Sequence, residues 1–258
     1  MELGGCVAVV TGGGGGIGSA LCRRFAAEGA SGIVVADLDG QAAEAVAHEV
    51  GGISTAADVT REPDVRALVD AALREYGRID LYCSNAGVVS RGGIEAPDGE
   101  WQRSWEVHVI AHLHAARLVL PHMLERGHGY FLGTISAAGL LNHITALPYA
   151  VTKAAGLSFF EGLAIEYGDR GIGVSCLCPQ GVRTAMLEGD GPHGFLQEGA
   201  LEPEQVAETV VQGLRDERFL VLPHPEVADY FRRKATDYDR WLGGMRRLRA
   251  RVADAQAR

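Results

Sequence analysis

Three residues near the middle of the chain, Ser136, Tyr149 and Lys153, are of the types that can move a proton on and off a hydroxyl group. Taking two electrons and a proton from an alcohol requires a base for the hydroxyl proton, a cation that makes that base available, and a donor that holds the carbonyl oxygen as it forms. Tyr149 and Lys153 stand at i and i+4 at the start of an expected helix over 149–168, so their side chains share one face. A free phenol titrates near ~10 and is a poor base at neutral pH, but an adjacent ammonium favours the phenolate. Ser136 ends an apolar run thirteen positions before Tyr149. A tyrosine and a lysine paired on a helix for stability alone would show the same spacing. The pair acquires chemical meaning only if an electron carrier can lie beside it.

The amino-terminal segment offers a place for one. Thr11-Gly12-Gly13-Gly14-Gly15-Gly16-Ile17-Gly18 follows an apolar strand directly and opens a helix at about Ile17. Residues without Cβ let backbone N–H groups approach a pyrophosphate at the positive end of a helix dipole, which makes Gly12, Gly16, Ile17 and Gly18 candidate cofactor contacts. A flexible strand-to-helix connection would look similar. The second strand, however, ends in Ala36-Asp37-Leu38, about twenty residues further on, where a carboxylate can accept hydrogen bonds from the adenosine ribose hydroxyls. Asp37 would repel a 2′-phosphate, and neither Gly15 nor Leu38 supplies a cation to neutralise one, so NAD is favoured over NADP. The alternative for Asp37 is a turn residue opening Asp37-Leu38-Asp39-Gly40. Asp58-Val59 and Asn85-Ala86-Gly87 end the third and fourth strands and point at the same crevice, although either could be ordinary turn chemistry.

The elements that must position these groups follow from periodicity. Short apolar runs near 6–10, 32–36, 53–57, 79–84, 129–135, 172–178 and 219–222 alternate with helical patterns over about 17–28, 41–49, 62–76, 100–126, 149–168, 203–214 and from 226 onwards. This rhythm specifies stacked βαβ units: an α/β fold with a doubly wound, seven-stranded parallel sheet, a Rossmann fold in a single domain. Its ligand crevice lies at the carboxyl ends of the strands. Glu62-Pro63 marks a helix start, and Gly29, Gly77 and Gly127 mark helix ends.

Length and composition agree. A chain of 258 residues, 47% hydrophobic and 22% charged, has ordinary globular composition and should bury roughly three quarters of its extended surface. A formal charge of −9 repels phosphate backbones and anionic lipid, so nucleic acid and membrane are unexpected partners. There is neither a leader-like start nor a run of about 18 uncharged apolar residues, and the expected location is cytoplasmic. Cys6, Cys22, Cys83, Cys176 and Cys178 form an odd set without metal spacing and read as reduced core residues. His108 and His112 are one helical turn apart with His114 close by, but no carboxylate or cysteine completes a metal set, and none is expected. The basic concentration Arg246, Arg247, Arg249 and Arg251 reads as a solvated helix face.

In order along the chain, TGGGGGIG (11–18), Asp58-Val59, SNAG (84–87), Ser136, YAVTK (149–153) and Pro179-Gln180-Gly181-Val182-Arg183-Thr184 resemble the motifs of the short-chain dehydrogenase/reductase (SDR) family over about 1–225. The resemblance implies a proton path through Tyr149, the ribose hydroxyl and Lys153, with Ser136 on the substrate oxygen. It implies Pro179, Gly181, Val182 and Thr184 at the nicotinamide end, where Val182 and Thr184 hold the carboxamide. It also implies a homotetramer built on helices 100–126 and 149–168. Three departures stand out. His108 occupies the place where the family has an asparagine whose backbone carbonyl holds a relay water, so the carbonyl is kept and the side chain that supports a helix kink is replaced. His108 is therefore carried as a fourth candidate catalytic residue. Ser84 stands where a second asparagine is common, and Gln180 intervenes between Pro179 and Gly181.

Residues 185–202, with Met186, Leu187, Gly191, Pro192, Phe195 and Leu196, read as a lid over a mainly apolar substrate. Leu140, Leu141, Asn142, His143 and Leu147 are expected on the opposite wall. The lid could equally be an unselective surface loop. Residues 1–236 form the expected catalytic domain and 237–258 a basic helical extension, which could reach a neighbouring subunit's pocket or pack on its own. The leading functional expectation is an NAD-dependent oxidoreductase interconverting a secondary alcohol and a ketone. A lyase or epimerase would usually have replaced one of Ser136, Tyr149 and Lys153. A catalytically silent NAD-binding regulatory protein has only His108 in its favour.

Overall fold

The structure is a computed structural model that describes residues 1–188 and 196–256. These residues build a seven-stranded, all-parallel sheet in the order β3-β2-β1-β4-β5-β6-β7. The strands are β1 (Val7–Thr11), β2 (Gly32–Asp37), β3 (Ile53–Ala56), β4 (Leu81–Ser84), β5 (Gly129–Thr134), β6 (Ile172–Leu177) and β7 (Leu220–Val221). Val9 of β1 pairs with Val34 on one side and Tyr82 of β4 on the other. The winding direction reverses between β1 and β4, so their carboxyl ends diverge and leave the crevice that a doubly wound sheet provides. β1, β4 and β5 are buried at every residue, whereas the edge strand β3 alternates, because helices cover both faces only at the centre.

On one face α1 (Gly16–Ala27), α2 (Gly40–Val50) and α9 (Pro203–Arg215) pack around Leu21, Phe25, Val46 and Val210. On the other, α3 (Glu62–Tyr76), α5 (Ala111–Arg126) and α7 (Leu147–Tyr167) enclose Leu68, Val119, Phe131 and Phe160. Each such side chain contributes about 1.5–3 kcal/mol when removed from water. Local chemistry sets the helix starts. Asp39 accepts from the N–H groups of Gln41 and Ala42 at the start of α2, and Glu202 and Gln205 form a reciprocal capping box on α9.

The helix expected over 100–126 is three pieces: α4 (Asp98–Trp105), a π-helical segment (Glu106–Ile110), and α5. His108 lies inside the π segment, so the helix is deformed at this position even though the asparagine is absent. Two short helices were not expected, α6 (Ala137–Leu141) and α8 (Ala185–Glu188). The carboxyl-terminal helical pattern breaks at Asp237, where extended backbone separates α10 (Glu226–Thr236) from α11 (Tyr238–Gln256). No helix among the described residues is long and apolar enough to cross a membrane.

Candidate active site

The carboxyl ends of the central strands open into one cavity of about 1320 Å³. Gly12, Gly16, Ile17 and Gly18 line one end of it. A Cβ at Gly18 would lie 2.0 Å from the carbonyl oxygen of Gly12, and one at Gly12 would lie 2.9 Å from the Cα of Ala86. The loop is therefore closed against itself and against the exit of β4, and only glycine fits at positions 12 and 18. Gly15 caps α1 without a side-chain hydrogen bond, which leaves the first-turn amides open toward the cavity.

Asp37 ends β2 beside Leu38, and both residues line the cavity. One carboxylate oxygen of Asp37 accepts from Gly14 N–H (2.9 Å), the other from Asp39 N–H (3.1 Å). Each oxygen keeps a further lone pair, so the carboxylate is held by the glycine loop and can still accept. Asp58 and Val59 line the wall, but one oxygen of Asp58 closes a turn on Thr60, accepting from its N–H (3.0 Å) and Oγ1 (2.7 Å). Asn85 uses its side chain structurally. Its Nδ2 donates to the carbonyl oxygens of Thr11 (2.9 Å) and Gly12 (3.3 Å), and its Oδ1 accepts from Thr134 Oγ1 (2.9 Å).

Two residues to which the sequence reading gave no role of their own, Thr11 and Thr134, complete this end. Buried Thr11 Oγ1 accepts from the N–H groups of Asn85 (3.0 Å) and Ala86 (3.2 Å) and donates to Cys83 O (3.2 Å), which ties β1 to β4. Thr134 offers its carbonyl to Lys153 and its hydroxyl to Asn85. The available signal was a hydroxyl residue at the carboxyl end of each central strand.

At the other end Ser136, Tyr149 and Lys153 line the same cavity. Lys153 is buried, its Nζ donates to Thr134 O (2.8 Å), and it lies 5.6 Å from the centroid of the Tyr149 ring. Burial pushes its ammonium pKa down to about 7. Ser136 has φ 154° and ψ 156°, a region that side chains other than glycine's rarely adopt. The strain is held from both sides, since Ile135 N–H donates to Leu177 O (2.8 Å) and Ala137 N–H to Pro179 O (2.8 Å). Ser136 Oγ accepts from Ala138 N–H (3.0 Å) and donates to Pro179 O (3.4 Å).

His108 is fully buried and does not line the cavity. Its Nε2 accepts from Val88 N–H (3.1 Å), so Nδ1 carries the proton and donates to Thr152 Oγ1 (2.9 Å), which itself donates to Pro148 O (2.9 Å). Burial, then the Lys153 charge, hold its pKa well below the usual imidazole value. The ring meets Tyr149 edge-on at 5.5 Å between centroids. His108 thus stands behind Tyr149 and joins the β4 exit to α7; it does not reach the space where a substrate could lie. His112 pairs its Nδ1 with Ser84 Oγ (2.6 Å), and burial pushes its pKa down to about 3. Among the described residues no cluster of three histidine, cysteine or carboxylate side chains could hold a metal ion. All five cysteines are free and buried.

Pro179, Gly181, Val182 and Thr184 line the cavity. The intervening Gln180 is accommodated by the segment leading into α10: its N–H donates to His224 Nδ1 (3.1 Å) and its side-chain amide to Glu226 (2.5 Å). On the wall after Ser136, Leu141, Asn142 and His143 face the cavity, whereas Leu140 is packed in the core and Leu147 is not part of the wall. This corrects the expectation for those two residues. Met186, Leu187 and Leu196 line the cavity, while Gly191, Pro192 and Phe195 lie outside the described residues. The basic extension folds over its own pocket: Arg240, Trp241, Met245, Arg247, Leu248 and Arg251 all line it.

A cradle at a β1–α1 turn with a strained serine, a tyrosine and a buried lysine at the far end defines a nucleotide-dependent oxidoreductase architecture. The family model described as short chain dehydrogenase matches residues 6–193, and the chain belongs to that family. It is 35% identical over 236 residues to the 1-deoxy-11-beta-hydroxypentalenate dehydrogenase of Streptomyces exfoliatus, covering 88% of this chain and 86% of the relative. A short-chain dehydrogenase/reductase of Burkholderia phymatum, solved in complex with NAD, superposes with a TM-score of 0.83 at 29% identity, covering 93% of this chain and 96% of the other. A 7 alpha-hydroxysteroid dehydrogenase solved with NADH and 7-oxo glycochenodeoxycholic acid superposes with a TM-score of 0.80 at 27% identity, covering 86% and 92%.

Proposed function

We propose that the chain is an NAD-dependent dehydrogenase/reductase that interconverts a secondary alcohol and a ketone on a mainly apolar substrate. The observation that carries this reading is the arrival of Ser136, Tyr149 and Lys153 at one end of a single cavity whose other end is the Asp37-anchored glycine loop. A dinucleotide fits that loop, because its glycines leave no side chain between the α1 amides and the cavity, and Asp37 lines the same cavity with lone pairs left to accept from a ribose diol. NAD bound there supplies the two-electron acceptor or donor. Asp37 favours a free 2′-hydroxyl over a 2′-phosphate by charge repulsion, and the two solved relatives named above carry NAD and NADH.

Tyr149 takes the proton from the alcohol in one direction and returns it in the other. The positive charge of Lys153 stabilises the phenolate form of Tyr149. Ser136 donates to the substrate oxygen from a backbone geometry fixed by Leu177 and Pro179. His108 positions Tyr149 through Thr152 and Val88 and touches no reactant. Leu141, Met186, Leu187, Leu196 and Trp241 make the substrate compartment apolar. The protein is further proposed to act in the cytoplasm, in keeping with five unpaired cysteines, and as a homotetramer, which light scattering would test.

The decisive experiment is incubation with NAD, and separately NADP, and a panel of secondary alcohols, followed at the reduced-nicotinamide absorbance band. Reduction of NAD in preference to NADP is the expected result. Failure to oxidise any alcohol, or a preference for NADP, would reject the reading.

A further inference from the structure

The mouth of the cavity has the opposite charge from the chain as a whole. The protein carries a formal charge of −9, yet among the described residues Arg232, Arg233, Arg240, Arg247 and Arg251 line the mouth against one carboxylate, that of Asp237. Two of these arginines are engaged: Arg232 pairs with Asp229 (2.6 Å), and Arg233 lies over the Tyr230 ring (5.9 Å). The Asp237 carboxylate accepts from the backbone N–H of Arg240 (3.0 Å) and not from its guanidinium. Among the described residues, the side chains of Arg240, Arg247 and Arg251 have neither an ion pair nor a hydrogen bond. The acidic groups that line the rest of the cavity, Asp37 and Asp58, belong to the dinucleotide end.

A merely solvated helix face would point these arginines away from the pocket. Here their spacing puts them on the cavity side of α11 beside Trp241, Met245 and Leu248 at i, i+4 and i+7. The helix is held in place across the mouth. Lys234 of α10 donates to Leu140 O (2.6 Å) on the Ser136 side, and Arg249 lies close enough to Glu95, on the loop after β4, to help hold that carboxyl below its usual range after its two backbone hydrogen bonds. Several unpaired guanidiniums next to an apolar stripe, in the compartment that holds the reactive phenol, match an amphipathic ligand: an apolar body with a terminal anion.

We propose that the substrate carries an anionic group, a carboxylate or its sulfonate or phosphate equivalent, which Arg240, Arg247 and Arg251 bind at the mouth while the apolar body lies along Trp241, Met245 and Leu248. The statement that the other end of this ligand is an alcohol or ketone at Tyr149 rests on the dehydrogenase reading above. The anion site does not.

The test uses the full chain with hydroxyalkanoates and hydroxylated sterol carboxylates whose secondary hydroxyl lies at graded distances from the carboxylate, each paired with its methyl ester. The expected result is a kcat/KM at least about tenfold higher for the best carboxylate than for its ester, from a charge-assisted contact. That preference should shrink as ionic strength rises from about 20 to about 300 mM. The triple variant Arg240→Ala/Arg247→Ala/Arg251→Ala should bring the ratio close to one, mainly through KM. If it misfolds, the single charge reversal Arg247→Glu should lower the ratio severalfold. Calorimetric titration of the same pairs into protein with NADH provides a readout without turnover. Tighter binding of carboxylate than ester with no turnover of any alcohol would retain the anion site and reject the dehydrogenase. Turnover or binding without preference for the carboxylate, or a preference that survives the arginine variants, overturns this proposal and leaves the dehydrogenase intact.

Discussion

At the dinucleotide end of the cavity, the polar side chains that reach the strand ends are already held by neighbours. Asp37 is fastened to the glycine loop, Asp58 closes its own turn, and Asn85 is spent on Thr11, Gly12 and Thr134. At the mouth the guanidiniums of Arg240, Arg247 and Arg251 line the cavity from one face of α11 and have no ion pair or hydrogen bond among the described residues. The first region is preorganised: its polar side chains are held by protein partners, which lowers the ordering cost of binding. The second holds charge in reserve and gains most when a complementary charge enters. On the readings proposed above, the cradle serves the nucleotide and the mouth selects among substrates.

Breaking the chemical end should leave the cradle untouched. Tyr149→Phe is expected to lower kcat by about a thousandfold or more, with NADH affinity, followed by nucleotide fluorescence, changed by less than about threefold. Turnover like that of the unchanged protein would remove Tyr149 as the base. The reverse experiment is Gly18→Ala, whose methyl would meet Gly12 O at 2.0 Å. We expect at least a hundredfold loss of NADH affinity and about 1–3 kcal/mol of stability from the enforced backbone shift. An intact affinity would show that the loop is not the cradle.

Milder changes sharpen the comparison. Asp37→Ala should weaken NAD about tenfold and NADP less, which moves the ratio of the two dissociation constants toward one. A ratio that stays fixed would leave the cofactor preference without its cause. The smallest effect concerns pH. His112 is neutral in the folded chain with a pKa of about 3, whereas an unfolded histidine titrates near ~6.5. Between these values the unfolded state binds the extra proton, so stability is full above about 6.5 and falls as pH decreases toward about 3, by ~1.4 kcal/mol per pH unit. His108, shifted in the same direction, adds to the loss. Urea denaturation from pH 7 to pH 5 should reveal this slope, and His112→Gln should reduce it; an unchanged slope would exclude His112 as a contributor.

The doubly wound parallel sheet and the cavity's location at its strand ends were legible because local signals repeat; the strand order came from the structure. Apolar runs such as Val7-Ala8-Val9-Val10 alternate with helical patterns, and one glycine run sits between the first two elements. The placement of Tyr149 and Lys153 on one face follows from the helical repeat alone. The role of Asn85 was not legible, because a side chain that binds a neighbouring loop and one that binds a ligand obey the same local rules. His108 shows the same limit. Its type and position suggested participation, but its partners, Val88 and Thr152, are separated from it by 20 and 44 residues and are brought together by packing. Leu140 and Leu147 were placed on the wall by proximity in sequence; the unanticipated turn of α6 sent Leu140 into the core.

By itself the sequence determined the parallel sheet, the glycine-rich turn, the acidic residue that ends β2 and the tyrosine–lysine pair, since each is signalled by residues within one or two adjacent elements. Only the tertiary structure decided which side chains remain available to a ligand, and that the arginine-rich helix covers its own cavity. Those outcomes depend on contacts between segments far apart in the chain, such as Lys234 with Leu140, and local periodicity carries no information about which distant surface a helix face will meet.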